Sequence, residues 1–326
     1  MGCSGHQEKD PLTCFKSEPV KLVPTIISTD KPVLFGGVVA LMEDTILAIN
    51  TLKEDTLLTF INVLNGKTLK RMVSKGNGPG EMHMIKFCKQ TNNNQLWLYD
   101  PNSAKLHFID HQVIMTDALY KTTNFQQSSQ NLLKIDTCFI SSGIFVKNYR
   151  FQLFDSNGKT FNTCLNYQKS EKYQNMSDHT YSTGFQGIYT IHPDNNKFAF
   201  ATILSGSIQI FDFVNNVIQP KIDLFFYEPV MKEQNGVCAF SRQSKRGFDG
   251  IESTQQFIYT LYSNKILADP DLTCSHLLVF DWDGNPIKRY LLDTPLTTFC
   301  INSQGTKLYG IAFMPETTIV QYDLQL

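Results

Sequence analysis

The sequence has no run of 18 or more apolar residues, no long amphipathic helical pattern and little charge. Charged side chains make up 18% of the 326 residues, and 29 Lys and Arg nearly balance 30 Asp and Glu, for a formal net charge of −1. No segment is therefore long and apolar enough to span a bilayer as a helix. The near-neutral balance gives no general attraction to nucleic acid or to an anionic membrane. Partners must be recognised by local surface patches.

The short motifs of metal and hydrolase sites are also missing. The eight cysteines include no Cys-x-x-Cys pair and no zinc-type spacing with His, which favours small buried side chains over a disulfide framework. No Gly-x-Ser-x-Gly elbow is present. Residues 281–285 imitate the start of a calcium loop, but Leu292 stands where a Glu ligand belongs, which favours a plain turn. His107 and His111 lie on either side of a turn at Asp110, and a surface or packing role is favoured for them over metal binding. We expect no metal and no cofactor.

One pattern recurs six times. Each copy is a β-rich run that closes on an aromatic or aliphatic residue beside Asp or Asn, and the closing positions are 62, 110, 155, 212, 281 and 323. Their spacing of roughly 40 to 70 residues brackets the roughly 40 to 50 of one four-stranded propeller blade. The pattern predicts an all-β fold, a six-bladed β-propeller of four-stranded antiparallel blades. The runs are 59–62, 106–110, 151–155, 208–212, 277–281 and 319–323.

A second strand-like stretch precedes each run, so each repeat is predicted to be strand, turn, strand, loop, strand, turn, strand. Glycines after the closing Asp or Asn, as in Gly66, Gly158 and Gly284, suit hairpin turns between the third and fourth strands. The preceding stretches are 45–49, 95–99, 143–147, 197–201, 257–261 and 307–311.

The sixth repeat stops directly after its third strand, which would leave an open sheet edge. Residues 21–27 are strand-like and unassigned, and we expect them to supply the missing outer strand and close the ring. Pro24 fits an outermost strand, which has one free edge. The predicted organisation is a flexible tether over residues 1–20 and a single propeller domain over residues 21–326.

The N-terminal residues are small and polar. A Cys followed by Ser and Gly is typical of the mature start of a bacterial lipoprotein, here with Met1-Gly2 in place of the hydrophobic leader. We therefore expect Cys3 to be the lipidation site of the native protein, with an ordinary chain end as the alternative. N-myristoylation is excluded because His6 stands where Ser or Thr is required.

A glycine-rich segment lies between the first two repeats. It lacks the Gly-Lys-Ser/Thr ending of a phosphate-binding loop, so a rigid interblade turn is favoured. The segment, followed by strand-like residues 85–88, 96–100 and 105–110, resembles the NHL-type repeat and the TolB-like six-bladed propeller lipoproteins of Bacteroides. An NHL repeat has Phe where this chain has Met82. The resemblance implies an exported six-bladed propeller. The segment comprises Gly76, Gly78, Pro79, Gly80 and Glu81.

The longest connections indicate where binding elements were added. Arg242, Lys245 and Arg246 lie in a basic loop before the fifth repeat and could hold a carboxylate, a phosphate or an acidic sugar, or could simply be solvated. The stretch 167–187 offers aromatic rings for glycan or peptide contact, although these could instead cover a blade edge. These rings belong to Tyr173, Tyr181 and Phe185.

These features favour a monomeric, non-catalytic binding or scaffold propeller, lipid-anchored in the cell envelope, periplasmic or at the outer membrane. Its expected partner is a glycan, a peptide or an envelope protein held at one mouth of the central channel, with no nucleic acid. The alternative is a metal-dependent hydrolase or lyase of the lactonase-like propeller type. A third option is a structural subunit of an envelope assembly, which would present an apolar patch.

Overall fold

The computed structural model describes residues 8–33, 36–51, 54–90, 94–116, 118–126, 128–142 and 149–325. They form six four-stranded antiparallel sheets, and the innermost strands of these blades contact one another in ring order, with the sixth contacting the first. The predicted fold class is confirmed. Within the described ranges, no helix combines the length and apolar character needed to cross a membrane.

Each blade runs from an inner strand beside the channel to an outer strand at the rim. Hairpin turns join the first strand to the second and the third to the fourth at one side of the ring, the hairpin side. The remaining connections lie on the opposite side, the cap side.

Two short strands, β1 (Val20–Leu22) and β2 (Thr25–Ile26), precede the first blade. Blade 1 comprises β3 (Gly36–Met42), β4 (Ile46–Thr51), β5 (Thr56–Asn62) and β6 (Thr68–Ser74). Blade 2 comprises β7 (Lys86–Cys88), β8 (Gln95–Asp100), β9 (Lys105–Asp110) and β10 (Lys121–Asn124). Blade 3 comprises β11 (Asn131–Ile135), β12 (Cys138–Ser142), β13 (Phe151–Phe154) and β14 (Thr160–Cys164).

The second half of the ring carries the longer connections. Blade 4 comprises β15 (Gly187–Ile191), β16 (Lys197–Thr202), β17 (Gly206–Val214) and β18 (Val217–Tyr227). A separate hairpin follows, β19 (Met231–Gln234) and β20 (Val237–Phe240). Blade 5 comprises β21 (Phe248–Ser253), β22 (Phe257–Tyr262), β23 (Cys274–Asp281) and β24 (Pro286–Leu296). Blade 6 comprises β25 (Thr298–Ile301), β26 (Lys307–Phe313) and β27 (Thr317–Asp323), with β2 as its fourth strand. Short helices are α1 (His111–Met115), α2 (Asp178–Gly184) and the 3-10 turns Pro11–Cys14 and Glu171–Tyr173.

Three of the recurring residues, Asn62, Asp155 and Asp281, stand where the third strand of their blade ends, and their side chains build the following hairpin turn. Of the others, Asp110 caps α1, Asp212 lies inside β17 and Asp323 ends β27. Asp281 Oδ1 accepts hydrogen bonds from the backbone amides of Asp283 at 2.9 Å and Asn285 at 2.8 Å. Asp155 accepts two backbone amides in the same way, both at 2.9 Å. Gly284, with φ +80°, completes the turn. The repeat marker is thus a hairpin signal, and residues 281–285 form a turn, as predicted.

The hydrophobic core is divided among the blade interfaces. Each of the six interfaces has its own cluster of buried side chains. The cluster that closes the ring packs Val39 and Ile49 of blade 1 against Tyr309 and Ile311 of blade 6. Because each blade packs on its two neighbours, 326 residues fold as one ring without a single large core.

The N-terminal segment closes the ring, as predicted, but it does so with two strands. Thr25 and Ile26 of β2 pair antiparallel with Gln321 and Val320 of β27 and complete blade 6. The preceding strand β1 pairs in parallel with β24 and adds a fifth strand to blade 5. Pro24 lies between the two strands, where a missing amide donor interrupts neither ladder. The N-terminus therefore joins the last two blades.

The predicted flexible tether over residues 1–20 is too long. Residues 1–7, including Cys3, lie outside the described residues, but residues 8–18 pack on blades 4 and 5. The amide of Lys9 donates to Phe226 O at 2.9 Å, and Phe15, 8% exposed, lies edge-on to Phe280 at 5.3 Å between ring centroids. Arg289 donates to Leu12 O at 3.5 Å. An apolar ring in a polar stretch was the signal that this segment is docked.

Four of the six predicted second strands fall within observed second strands, and a fifth, 45–49, overlaps β4 in all but its first residue. The stretch 143–147 lies outside the described residues, and the second strand of blade 3 is β12, five residues earlier. Among the described cysteines, seven thiols are free, and Cys88, Cys138, Cys274 and Cys300 are buried, as expected of small apolar side chains.

Candidate functional site

The two longest connections fold together on the cap side. One runs from blade 3 to blade 4 and contains α2, and the other runs from blade 4 to blade 5 and contains the β19–β20 hairpin. Ser177 links them, since its amide and hydroxyl donate to the Glu233 carboxylate at 2.8 and 2.9 Å. We call residues 165–186 and 228–247 the cap. Its small hydrophobic core comprises Tyr167, Tyr173, Met176, Tyr181, Phe185, Met231, Cys238 and Phe240.

The tyrosines expected to contact a ligand are instead the interior of this cap. Tyr173 and Tyr181 are each only 4% exposed. The Tyr173 hydroxyl donates to Pro229 O at 2.5 Å and the Tyr181 hydroxyl to Gln168 O at 3.1 Å. Phe185 stacks on Tyr181 with 4.5 Å between ring centroids. The stretch of Tyr, Ser and Asn was interpreted as a ligand surface because sequence alone does not show that two connections pack on each other.

The three basic residues of the second connection have different environments. Arg246 donates to Asp249 Oδ1 at 2.9 Å and is largely buried, so it is a structural residue. Lys245 lies over the Tyr227 ring at 5.5 Å and 4.0 Å from the Asp10 carboxylate. Arg242 is exposed, and its side chain makes no hydrogen bond or ion pair within the described part of the chain. Of the predicted basic group, Arg242 is the residue whose charge is available to a ligand.

An ion pair crosses the central channel. Lys89, directly after β7 of blade 2, pairs with Glu252 on β21 of blade 5, the blade on the opposite side of the ring. Burial raises the pKa of Glu252, while the neighbouring ammonium of Lys89 opposes that rise. Burial also raises the pKa of the Cys300 thiol beside them well above its ordinary value. Both partners lie toward the hairpin-side ends of the inner strands, and we call the part of the channel on the cap side of this pair the well.

Lys86 lies at the cap-side mouth of this well. Its ammonium donates to Asn131 Oδ1 at 3.1 Å, and the Asn131 amide donates in turn to Gly187 O at 3.1 Å. These three residues begin the inner strands of blades 2, 3 and 4. Burial lowers the pKa of Lys86, and no carboxylate among the described residues lies within ion-pair distance. The mouth therefore presents a half-buried cation to which the described residues offer no counter-ion.

These residues were missed in the sequence. The available signal was the alternation within residues 85–89, where Lys86 and Lys89 interrupt an apolar inner strand. A charge in such a strand is costly unless the channel or a partner accommodates it.

The glycine-rich segment is the predicted interblade loop, and it connects β6 to β7. Glu81 folds back so that its Oε2 accepts the Gly78 amide at 2.7 Å, and it occupies the space that a Cβ on Gly76 would need. Lys105 of blade 2 donates to Gly78 O at 2.8 Å, and the Tyr120 hydroxyl donates to Gly80 O. These contacts give the segment a structural role. Pro79 lies between the two bonded glycines.

The histidines considered as metal ligands are separated in the structure. His107 is fully buried beneath the glycine-rich loop, with Nδ1 2.9 Å from Thr122 Oγ1, and burial lowers its pKa to about 4. His111 lies at the surface, 3.0 Å from the Glu43 carboxylate. Within the described residues, no group of three or more His, Cys, Asp or Glu side chains is placed to hold a metal ion.

Comparison with known proteins agrees with this geometry. A family model described as TolB-like 6-blade propeller-like matches residues 38–304. A Bacteroides fragilis NCTC 9343 protein that is described as exported superposes with a TM-score of 0.62 at 14% identity, covering 92% of this chain and 94% of that one. A member of the DUF4221 family from Bacteroides vulgatus ATCC 8482 gives 0.58 at 9% identity, covering 94% and 97%. The Cps50 (Swd1) β-propeller domain of Myceliophteria thermophila gives 0.52 at 7%, covering 93% and 100%. None of the curated proteins matches the chain.

Proposed function

Because this chain belongs to the family of TolB-like six-bladed propellers, we propose that it is an exported, lipid-anchored binding or scaffold protein. It holds an acidic group of a glycan, a peptide or an envelope-protein partner at the cap-side mouth of its channel. The observation that carries this proposal is the Lys86 ammonium, half-buried at the mouth with Asn131 as its bonding partner.

The charge of the Lys86 ammonium favours an acidic ligand. Removing an ammonium group from water is unfavourable unless an opposite charge compensates for it. At Lys86 the described chain supplies an amide oxygen but no carboxylate. An incoming carboxylate would remove that deficit and form a charge-assisted hydrogen bond, which is stronger than a neutral one.

The shape of the well restricts which groups can enter it. Asn131 is fixed by its bond to Gly187 O, so its Oδ1 holds the Lys86 ammonium in one place. The Lys89–Glu252 pair lies three residues deeper, about 10 Å at roughly 3.3 Å per residue of strand. The well thus admits a terminal group and excludes a threaded chain. Arg242, exposed on the cap, offers a second cation to a larger acidic partner.

The position of the N-terminal segment supports a particular orientation. Lys9 bonds to Phe226 at the cap-side end of β18, so the described chain begins on the cap side. Glu8 is five residue steps from Cys3 along the chain, and an extended chain spans at most about 3.6 Å per residue. A lipid on Cys3 would therefore hold the cap side within roughly 18 Å of the membrane. The description of the B. fragilis relative as exported supports this location.

The test is a binding screen by thermal shift and calorimetry. The probes are galacturonic acid oligosaccharides and peptides with a free carboxyl terminus, each paired with its neutral counterpart, a galactose oligosaccharide or the amidated peptide. We expect an acidic probe to bind and its neutral counterpart to fail. Lys86→Met should weaken binding at least about tenfold, the loss of one charge-assisted bond, while Lys232→Met, an exposed lysine of the cap, should leave it unchanged.

Three outcomes would contradict the proposal. They are equal binding of acidic and neutral probes, acid binding that survives Lys86→Met, and a rise in Tm specific to a divalent metal with no response to any acid. The last would favour the hydrolase class instead.

A further inference from the structure

The hairpin side carries a cavity that is separate from the channel mouth. It has a volume of about 380 Å³ and lies between the first turns of blades 5 and 6. Small-ligand pockets span roughly 300 to 1,000 Å³, so this cavity suits a small ligand or the end of a longer one. Its lining consists of Thr254, Gln255, Gln256, Phe257, Ser303, Gln304, Gly305, Thr306 and Leu324.

The residues that line the cavity are all uncharged. None of these nine residues is charged, three are glutamines and three more carry hydroxyls. Two nearby carboxylates are occupied by the turns, because Asp44 accepts the Ser303 amide at 2.8 Å and Asp194 accepts the Gln255 amide group at 3.1 Å. The cavity therefore presents hydrogen-bonding groups without net charge.

The backbone of both turns is fixed before any ligand arrives. Asn302 Oδ1 accepts the amides of Thr306 at 2.9 Å and Lys307 at 2.8 Å. On the other turn, the Trp282 indole donates to Thr254 O at 3.1 Å. A preformed site does not lose binding energy to ordering of its backbone.

Two amides and one aromatic ring remain to contact a ligand. Gln256 and Gln304 are exposed, and neither side chain makes a hydrogen bond within the described ranges. Each can donate and accept at once. Phe257, which also lines the cavity, is half-buried and offers an apolar ring.

We propose that this cavity binds a neutral saccharide. A sugar presents hydroxyls that both donate and accept, which glutamine amides match, and C–H faces that pack on an aromatic ring. The absence of charge in the lining disfavours uronic acids, phosphates and amines. The site lies on the hairpin side, opposite Lys86, and is independent of the function proposed for the channel mouth.

The test uses saturation-transfer NMR and calorimetry with cellobiose, maltose, lactose and chitobiose, and with digalacturonic acid as the charged comparison. We expect at least one neutral disaccharide to bind more tightly than the acid. Phe257→Ala and Gln304→Ala should each weaken it about tenfold, the effect of losing one good contact. Gln219→Ala, an exposed glutamine on the outer strand of blade 4, should leave it unchanged.

Lys86→Met separates the two sites, because it should not alter disaccharide binding. The inference is overturned if no neutral disaccharide binds the folded protein at about 10 mM, well above a millimolar Kd. It is also overturned if binding persists in both cavity variants. Circular dichroism of each variant confirms that a loss of binding is not a loss of fold.

Discussion

Lys89 of blade 2 and Glu252 of blade 5 form an ion pair across the central channel, although two blades separate them on either side of the ring. The pair connects opposite walls of the channel at the hairpin-side end of the well. Its partners are partly accessible, with 27% and 17% of their side chains exposed. The contact is therefore a cross-link whose loss leaves one charge without its partner.

Breaking this pair from one side should destabilise the propeller. Lys89→Met leaves the Glu252 carboxylate uncompensated and should lower the free energy of unfolding by about 2 kcal/mol, less than the cost at a fully dry site because water reaches the channel. The double variant Lys89→Met/Glu252→Leu should recover most of that loss. Urea unfolding of the wild type and the variants measures the coupling. Strict additivity of the two changes would show that the residues do not interact.

Lys86→Met should change the free energy of unfolding in the opposite direction. The substitution removes a half-buried cation that has no carboxylate partner in the described part of the chain, so we expect the free energy of unfolding to rise by about 1 kcal/mol while acidic ligands are lost. The same urea experiment measures it, with Lys232→Met as the exposed control. A stability loss would assign Lys86 a structural role instead.

The hairpin of blade 1 tests how the N-terminal segment closes the ring. Gly66 has φ +70°, and a Cβ there would lie 1.8 Å from Ser28 O. Gly66→Ala should therefore displace the segment that leads from β2 and cost about 3 kcal/mol or more in thermal unfolding. Gly236→Ala is the matched control, because that glycine has φ +72° with nothing within 4 Å. It should cost only the backbone strain, about 1 kcal/mol. Equal losses would mean that the contact with Ser28 is unimportant.

His107 should make stability depend on pH. Burial lowers its pKa from the ordinary 6.5 to about 4, so the unfolded chain binds the proton first as pH falls. The contribution is present above pH 6.5 and is lost as pH falls toward 4. Between pH 7 and pH 5 the wild type should lose about 2 kcal/mol more than His107→Gln. Identical slopes in the wild type and in His107→Gln would contradict the assignment.

The architecture could be predicted from sequence because its determinants are local. Asp155 and Asp281 accept hydrogen bonds from amides two and four residues ahead, so one short segment of sequence determines each hairpin. Even the closing strand was visible, since residues 21–27 lacked a place in any repeat. Its division between two blades depends on pairing with β24 and β27, which lie near the far end of the chain.

The site could not be predicted as well because its residues meet only in three dimensions. Arg246 gave a basic signal in the sequence, but Asp249 neutralises it in the fold. Tyr173 and Tyr181 suggested ligand contact, but Met231 and its neighbours bury them. Lys86 gave only the weak signal of a charge in an inner strand. Its importance comes from what surrounds it across three blades.

The most direct measurement is the titration of Lys86 itself, by NMR of the reductively ¹³C-methylated protein with Lys86→Met to assign the signal. We predict a pKa below the ordinary lysine value of 10.5 in the free protein, because burial without a carboxylate among the described residues disfavours the charged amine, and a rise when an acidic ligand binds. A Lys86 signal that titrates at or above the ordinary lysine pKa of 10.5, unmoved by any acid, would show that the charge is already compensated and that the mouth is not an anion site.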